Sequence, residues 1–286
     1  MADLTAIILT KNEQKNLPDC LTSVAGFASR VVVVDSGSDD QTEAIARAFG
    51  AEFAYHPFES HARQFNWALD NCDIRTEWVL RIDADERMTD AVKAECEPIL
   101  KLPRESGVHG ISMEAVFYML GKPLRFGGAK KRKLMIFRNG IGRIEDRLID
   151  EHTVLCEGRE VRIRAKFDHY DFKSVGFFAD KLNWYATREV LAVLGAQDSD
   201  SRLDGRIRRT RKLKSGLYYR FPKFFRAFCA FIFRYVFQLG FLDGRPGLIY
   251  HFMYSFMYRF LVDAKLYEAE RTSAPAAKLS ALDARE

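Results

Sequence analysis

The sequence predicts an α/β domain with a largely parallel sheet, followed by a helical extension. Two β-branched runs, Val31–Val34 and Trp78–Ile82, each end abruptly in carboxylates, as strands buried on both faces of a parallel sheet do. Strand patterns alternate with amphipathic helix patterns over about the first 110 residues. After about residue 172 the chain becomes helical, and a stretch rich in Lys and Arg leads into Phe-rich segments.

The alternation places the elements in order. Strands are expected at Ala6–Leu9, Val31–Val34, Glu52–Tyr55 and Trp78–Ile82, with helices at Asn16–Val24, Asp40–Phe49, His61–Cys72 and Thr89–Leu102. Gly50 is a natural stop for the second helix, because glycine readily adopts the left-handed conformation that ends helices. Further strand patterns predict an antiparallel extension or an edge of the same sheet: His109–Tyr118, Lys133–Phe137, Thr153–Cys156 and Val161–Asp168.

Composition narrows the class of protein. The 286 residues are 48% hydrophobic and 13% aromatic, which excludes a disordered chain. The five cysteines are scattered without a Cys-x-x-Cys pair, which argues against a disulfide framework and suits a reducing compartment. The N-terminus lacks the basic and long apolar regions of a signal peptide, so a cytoplasmic protein is expected. We expect an α/β domain over 1–172, a helical extension over 173–270 and a flexible tail over 271–286.

The acidic triplet after the Trp78 strand is a candidate binding site, because ligands of open α/β sheets bind beyond the carboxyl ends of strands. Asp83 and Asp85 are two residues apart and can face the same side. A divalent cation, Mg²⁺ or Mn²⁺, carrying a phosphate-rich ligand would offset their repulsion. Arg81 could pair with these acids or with phosphate. The alternative is an acidic turn before the next helix.

Polar loops follow the first two strands. The first loop could present backbone N–H groups and side chains to a nucleotide, or cap a helix; its residues are Thr10, Lys11, Asn12 and Glu13. In the second loop, Asp35 could accept a hydrogen bond from a base. Ser36, with Gly37 and Ser38, would shape a tight turn, and Asp39 or Asp40 would cap the next helix. The alternative is that all these acids are caps.

Two polar residues on the third predicted helix could serve the same site. Arg63 and Asn66 are three positions apart and therefore share a helix face. They could brace the nucleotide loop or a sugar, or be solvated in the first turns.

These motifs, in this order and spacing, make the chain similar to family 2 glycosyltransferases of the GT-A fold, which has a Rossmann-like mixed sheet flanked by helices. The motifs are Thr10–Glu13, Val34–Thr42, Arg63–Ala68 and Asp83–Asp85. The resemblance covers the first 110 residues well and extends loosely to about residue 170. It is strongest to bacterial transferases of lipopolysaccharide-core and exopolysaccharide assembly.

The resemblance implies a nucleotide-diphosphate sugar donor, with a UDP-sugar as the expected one, and inversion at the anomeric carbon. Asp35 would contact the base, Asp83 the ribose and Asp85 the Mg²⁺ or Mn²⁺ ion. His169, followed by Tyr170, matches a His-Tyr placement in these relatives and could help to hold the diphosphate or metal, or be structural.

Other basic and acidic residues fill the remaining roles that this resemblance implies. Arg132, within Lys130–Lys133, could neutralise the diphosphate or an anionic acceptor, or lie in a solvated turn. Inverting transfer also needs a base for the acceptor hydroxyl. Glu151 is the favoured base and Asp150 the second; relatives often carry His-Glu here, and Asp150 replaces that His. Glu145 and Asp146 pair more readily with neighbouring arginines.

The basic–aromatic segment after residue 200 permits three interpretations: attachment to the inner-membrane surface, packing in an ordinary helical core, or nucleic-acid binding. Surface attachment fits best with a lipid-linked acceptor. Nucleic acid is not an expected partner, because the basic residues match no known binding motif.

The function expected from all this is an inverting transfer of a sugar to a lipid-linked glycan of cell-envelope polysaccharide. Two alternatives stay open. A polyprenyl-phosphate acceptor would need no base, and a non-catalytic nucleotide- and membrane-binding scaffold would need no chemistry at all.

Overall fold

The computed structural model describes residues 2–146, 152–170, 174–194 and 221–272. These residues form two compact units. The first comprises residues 2–118 and 130–170, and the second comprises residues 119–129, 174–194 and 221–272.

The first unit confirms the expected alternation of strands and helices. Its strands are β1 (Ala2–Thr10), β2 (Ala28–Asp35), β3 (Glu52–Tyr55), β4 (Trp78–Asp83), β5 (Glu86–Arg87), β6 (Val108–Met119, whose last residue enters the second unit), β8 (Arg132–Arg138), β9 (Gly142–Ile144), β10 (Thr153–Leu155) and β11 (Arg159–His169). Its helices are α1 (Leu17–Val24), α2 (Thr42–Ala48), α3 (His61–Asn71) and α4 (Asp90–Leu100). Ser60 and Thr89 start α3 and α4, since each hydroxyl accepts a hydrogen bond from the N–H three residues on.

The main sheet has the order β3-β2-β1-β4-β8-β6-β11-β5. The first four strands are parallel, β8 is antiparallel to both of its neighbours, and β11 runs parallel to β6. The later strands are therefore both an antiparallel extension and an edge of the same sheet. The Thr153 strand is an exception, because β10 pairs only with β9 in a separate ribbon.

Both faces of the parallel strands are buried, as their continuous apolar runs predict. Ile8 and Val33 pack in one core with Leu17 of α1. Ile7 and Val34 point to the opposite face and pack with α3 residues such as Phe65. Because each of these side chains is almost completely buried, the strand ends are held rigidly at the edge where the polar loops begin.

The second unit is helical. It contains β7 (Lys122–Pro123), α5 (Val175–Leu194), α6 (Phe225–Ile232), α7 (Gly244–Tyr250) and α8 (Tyr258–Thr272). Two π-helical stretches, Phe233–Phe237 and His251–Met257, directly follow α6 and α7. The helix α7 begins at Gly244. Pro246 lies in the first turn, where its missing N–H is not needed for a helical hydrogen bond.

Residues 119–129 belong to this helical unit, although the sequence pattern groups them with the strands. The Asp243 carboxylate accepts hydrogen bonds from the backbone N–H groups of Arg125 (3.1 Å) and Phe126 (3.0 Å). The Gly127 N–H donates to the Gln238 carbonyl over 2.8 Å. The segment thus satisfies its backbone groups on residues more than a hundred positions away, which no local pattern indicates.

Within the described residues, no single helix is long and apolar enough to cross a membrane. Residues 225–237 and 240–271 meet that criterion of length and composition only as a pair, and they are bent by 70° relative to each other.

His251 is a buried histidine in the second unit. Its ring packs against Gly127 and Gly240, where an added Cβ would lie within 3 Å of the imidazole. Neither ring nitrogen has a hydrogen-bond partner within the described part of the chain. Burial, aided by the charge of Arg234, lowers the pKa of His251 to about 4, although Asp243 acts in the opposite direction.

We expect stability to fall as the pH drops from about 6.5 to about 4, because the unfolded chain binds a proton there that the folded chain excludes. His251→Leu removes this contribution of up to about 3 kcal/mol and flattens the profile over that window. Urea unfolding at several pH values measures it. Identical pH slopes for His251→Leu and wild type would contradict the assignment.

Candidate functional site

The polar loops after β1, β2 and β4 meet at one edge of the sheet. β1 is paired with β2 so that Thr10 lies beside Asp35, and with β4 so that Leu9 lies beside Asp83. These ends are the carboxyl ends of parallel strands, where ligands of such sheets bind. The structure therefore brings together the three motifs that the sequence places there.

Asp35 is buried and holds the second loop in shape. Its carboxylate accepts hydrogen bonds from the backbone N–H groups of Gly37 (2.8 Å) and Ser38 (2.7 Å). The hydroxyls of Thr10 (2.8 Å) and Ser38 (2.6 Å) also donate to it. With these contacts Asp35 organises the loop, and any contact with a base would be made in addition to them.

The first two loops are bonded to each other. The Lys11 Nζ donates to the Gly37 carbonyl over 2.6 Å, and the Ser36 N–H donates to the Thr10 carbonyl over 3.1 Å. The Asn12 side chain accepts from the Asp39 N–H over 3.0 Å. Further along, the Glu13 N–H donates to the Thr42 hydroxyl over 2.9 Å. The two loops, Thr10–Glu13 and Asp35–Thr42, thus form one continuous polar surface along this edge, which we call the polar ledge. Lys11 and Asp39 are exposed on it.

Arg63 and Asn66 do not bond to this ledge in the structure; their contacts are with residues around β9. The Asn66 amide pairs with both backbone groups of Ile144, at 2.8 and 3.1 Å. Arg63 forms ion pairs with Asp146 (3.0 Å) and Glu59 (2.8 Å). The α3 helix thereby holds Ile144 and Asp146, the last part of the chain described before residue 147.

The expected bases Asp150 and Glu151 lie outside the described residues. Asp146, an acid next to them, pairs with Arg63 of α3. Of the two arginines of its hairpin, Arg143 pairs with Asp70 of α3, and Arg147 lies outside the described residues.

A lysine from β8 pairs with Asp83, the first acid of the triplet. The Lys133 Nζ lies 2.6 Å from an Asp83 carboxylate oxygen and also contacts Glu86. Burial raises the pKa of Asp83, but the charges of Lys133 and Arg81 outweigh it and hold that pKa well below its usual range. Burial also raises the pKa of Glu86. The charge of Lys133 opposes this rise but does not cancel it, so the pKa of Glu86 stays raised. Asp83 is therefore an anion with a fixed cation beside it.

Asp85 faces His169 at the end of β11. The Asp85 Oδ2 and the His169 Nε2 are 3.4 Å apart, and the His169 ring stacks on Phe117 at 5.0 Å. The Tyr170 N–H donates to the Asp85 carbonyl over 2.7 Å, which ties the triplet to this strand. One carboxylate and one imidazole, 3.4 Å apart, fit a cation that takes its other ligands from phosphate and water.

The described residues contain no group of three or more His, Cys, Asp or Glu arranged to hold a metal ion.

Arg81 and Arg132 occupy different surroundings. The Arg81 guanidinium donates to the Thr153 hydroxyl over 3.3 Å, and its Nε is buried without a partner among the described residues. Arg132 bonds to Glu114 over 2.9 Å, so it is its neighbour Lys133 that reaches the triplet.

Lys133 and Glu86 are the site residues that sequence reasoning missed. Glu86 directly follows the triplet, and Lys133 opens a strand pattern, but neither position indicates a partner. The two residues are 47 positions apart and meet only because β8 lies beside β4.

Comparison with known proteins identifies this architecture. The model of glycosyl transferase family 2 matches residues 5–114. An uncharacterized glycosyltransferase of Rickettsia felis is 27% identical over 280 residues, covering 94% of this chain and 91% of that protein. The lipopolysaccharide core biosynthesis glycosyltransferase LpsC of Rhizobium meliloti is 30% identical over 148 residues, covering 50% of this chain and 53% of LpsC.

A glucosyl-3-phosphoglycerate synthase from Mycobacterium tuberculosis, crystallised with Mn²⁺, UDP and glucosyl-3-phosphoglycerate, is 21% identical with a TM-score of 0.32. The superposition covers 41% of this chain and 44% of that structure, so the chain spans less than half of it. The family match contains most of β1, all of β2 to β4, the loops after β1 and β2, and the acidic triplet. Residues 5–114 therefore form a glycosyl transferase family 2 domain, and the first unit, which contains them, has the GT-A fold.

Proposed function

We infer that this glycosyltransferase moves a sugar, with inversion, from a nucleotide-diphosphate sugar to a lipid-linked glycan of cell-envelope polysaccharide. One observation carries the inference: the Thr10–Glu13 loop, the Asp35 loop and the Asp83–Asp85 triplet converge at one edge of a family 2 domain. The likeness to LpsC supports a polysaccharide of the cell envelope as the product, and a UDP-sugar is the expected donor.

The donor would lie along the polar ledge. The Asp35 loop offers backbone and side-chain groups to the base, and Asp83, fixed by Lys133, offers an anionic acceptor to the ribose hydroxyls. Asp85 and His169 would hold Mg²⁺ or Mn²⁺ together with the diphosphate. Such a cation, when bound, offsets the charge that develops on the leaving diphosphate.

The acceptor hydroxyl must lose its proton as it attacks the anomeric carbon from the face opposite the diphosphate. Glu151 is the proposed base, with Asp150 as the second candidate. The contacts of Asn66 with Ile144 and of Arg63 with Asp146 give the chain before them a fixed starting point on α3. A base held in position raises the reaction rate, because the entropy cost of orienting it towards the acceptor is already met in the folded protein.

A lipid-linked acceptor is held in the membrane, so sugar transfer to it would take place at the inner surface of the membrane. The proposal therefore includes peripheral association of a cytoplasmic protein with the inner membrane. The basic and aromatic composition of the chain after residue 200 supports this part of the proposal.

A thermal-shift screen of UDP, GDP, dTDP and CDP sugars, with and without Mn²⁺, tests the donor site. A sugar nucleotide at about 100 times its Kd adds about 2.7 kcal/mol, which raises the melting temperature of a chain of this size by several degrees. We expect one class of nucleotide to give this shift, and only with the metal. No shift with any conjugate would refute the donor site.

Turnover with a lipid-linked glycan then separates the possible acceptors. Glu151→Gln should abolish transfer to a hydroxyl. If transfer to polyprenyl phosphate survives the same substitution, the phosphate acceptor is the correct one, since phosphate needs no base.

A further inference from the structure

An exposed apolar surface lies on α6 and the residues that follow it. We call it the Phe237 surface; it consists of Phe228, Phe233, Phe237, Leu239, Phe241 and Leu242. Phe237 is the most exposed of these, at 74%. Phe228, Phe233 and Phe237 also line an apolar groove of about 340 Å³. Clustered exposure of large apolar side chains is typical of a surface that another phase or molecule covers.

The stretch of chain that carries this surface contains no acid. Between Phe224 and Leu242 the sequence contains two ionisable cations, Arg226 and Arg234, and no carboxylate. Arg226 is buried in an ion pair with Asp263, with Nε 2.8 Å from a carboxylate oxygen. Arg234 lies 5.9 Å from the centre of the Tyr254 ring. The apolar side chains are therefore not interspersed with the acids that a water-facing helix usually carries.

The sequence next to this surface is strongly basic. From residue 202 to residue 226 there is one acid, Asp204, among these cations: Arg202, Arg206, Arg208, Arg209, Arg211, Lys212, Lys214, Arg220, Lys223 and Arg226. Aromatic side chains next to a Lys- and Arg-rich stretch are the composition of segments that bind anionic membrane surfaces. An apolar protein partner would not require this excess of cations.

The geometry favours lying on the bilayer over crossing it. The helical stretch 225–237 is about 20 Å long, which is shorter than the roughly 30 Å hydrocarbon core. The chain then bends by 70° into the next helical stretch. Phe237, Leu239 and Phe241 lie at this bend with exposed side chains, so the apolar residues most accessible to lipid stand where the helical stretch ends.

We propose that the Phe237 surface inserts into the interfacial region of an anionic lipid bilayer. The proposal rests on the proposed function, because a bilayer is where a lipid-linked acceptor is found. The side chains of the Phe237 surface enter the lipid, and the negative charge of the headgroups attracts the neighbouring cations.

Flotation of the purified full chain with vesicles tests this proposal. The vesicles are phosphatidylcholine alone or phosphatidylcholine with about 30% phosphatidylglycerol. We expect flotation with the anionic vesicles that weakens at high salt. Phe237→Asp should lower the constant for partitioning into the vesicles at least about tenfold, because burial of a Phe side chain is worth about 1.5–3 kcal/mol. Melting curves show whether the variant is folded, and its exposure predicts that it is.

Phe49→Asp is the matched control, since Phe49 is a half-exposed aromatic residue of the first unit, and this variant should float like wild type. Wild-type protein that stays unbound, or Phe237→Asp that floats normally, would overturn the proposal. So would a vesicle-free dimer that Phe237→Asp converts to monomer, since a second copy would then cover the surface. Donor binding is measured separately by thermal shift, so failure of the donor site leaves the flotation result interpretable.

Discussion

Asp85→Asn should reduce metal-dependent turnover of the sugar nucleotide by about 10²–10³-fold. The amide loses the negative charge that a cation beside His169 would need, while it keeps the size of the side chain and the backbone contact with Tyr170. Folding should therefore be little affected. Initial rates with Mn²⁺, together with calorimetric titration of Mn²⁺ in the presence of the nucleoside diphosphate, measure the effect.

Asp90→Asn is the control for this experiment. Asp90 begins α4, its side chain is fully exposed, and it pairs only with Lys93 in the same helix. This variant removes a carboxylate close in sequence to the triplet without touching the site, so we expect wild-type rates. An Asp85→Asn enzyme with the wild-type rate and metal response would exclude Asp85 as the metal ligand.

Lys133→Met should destabilise the first unit by about 3 kcal/mol at neutral pH. Removal of the ammonium leaves Asp83 and the buried Glu86 close together with no cation between them. The methionine occupies a similar volume, so the loss reports charge more than packing. Urea unfolding, followed by circular dichroism, measures the change in the free energy of unfolding.

Two further variants identify the cause of that loss. Lys133→Met combined with Glu86→Gln should recover much of it, because only one carboxylate then remains unpaired. Lys101→Met removes the exposed pair with Glu97 and should change stability by less than about 0.5 kcal/mol. A Lys133→Met protein as stable as Lys101→Met would show that the cation is not needed between these acids.

The sequence predicted the sheet edge well because its signals are local. Continuous apolar runs that end in Asp35 and Asp83 indicate parallel strands, and parallel strands place their carboxyl ends together. The local helix pattern also locates α3 and α4 to within one or two residues.

Prediction was weaker wherever a side chain had to choose between distant partners. Asn66 was expected at the nucleotide loop or the sugar, yet it bonds to Ile144, 78 positions away. Arg132 was expected at the diphosphate, but alternation along β8 directs it to Glu114 and directs Lys133 to the triplet. A shift of one residue in a strand exchanges the two faces, and register between distant strands is not encoded in a local pattern.

The sequence by itself therefore determined the family, the strand ends and the meeting of Asp35 with the acidic triplet, because periodicity and strand direction depend on neighbouring residues. Only the tertiary structure decided that Lys133 lies beside Asp83, that α3 anchors the chain before residue 147, and that residues 119–129 join the helical unit. Those contacts join residues dozens of positions apart, so they exist only after the whole sheet and the helices have packed.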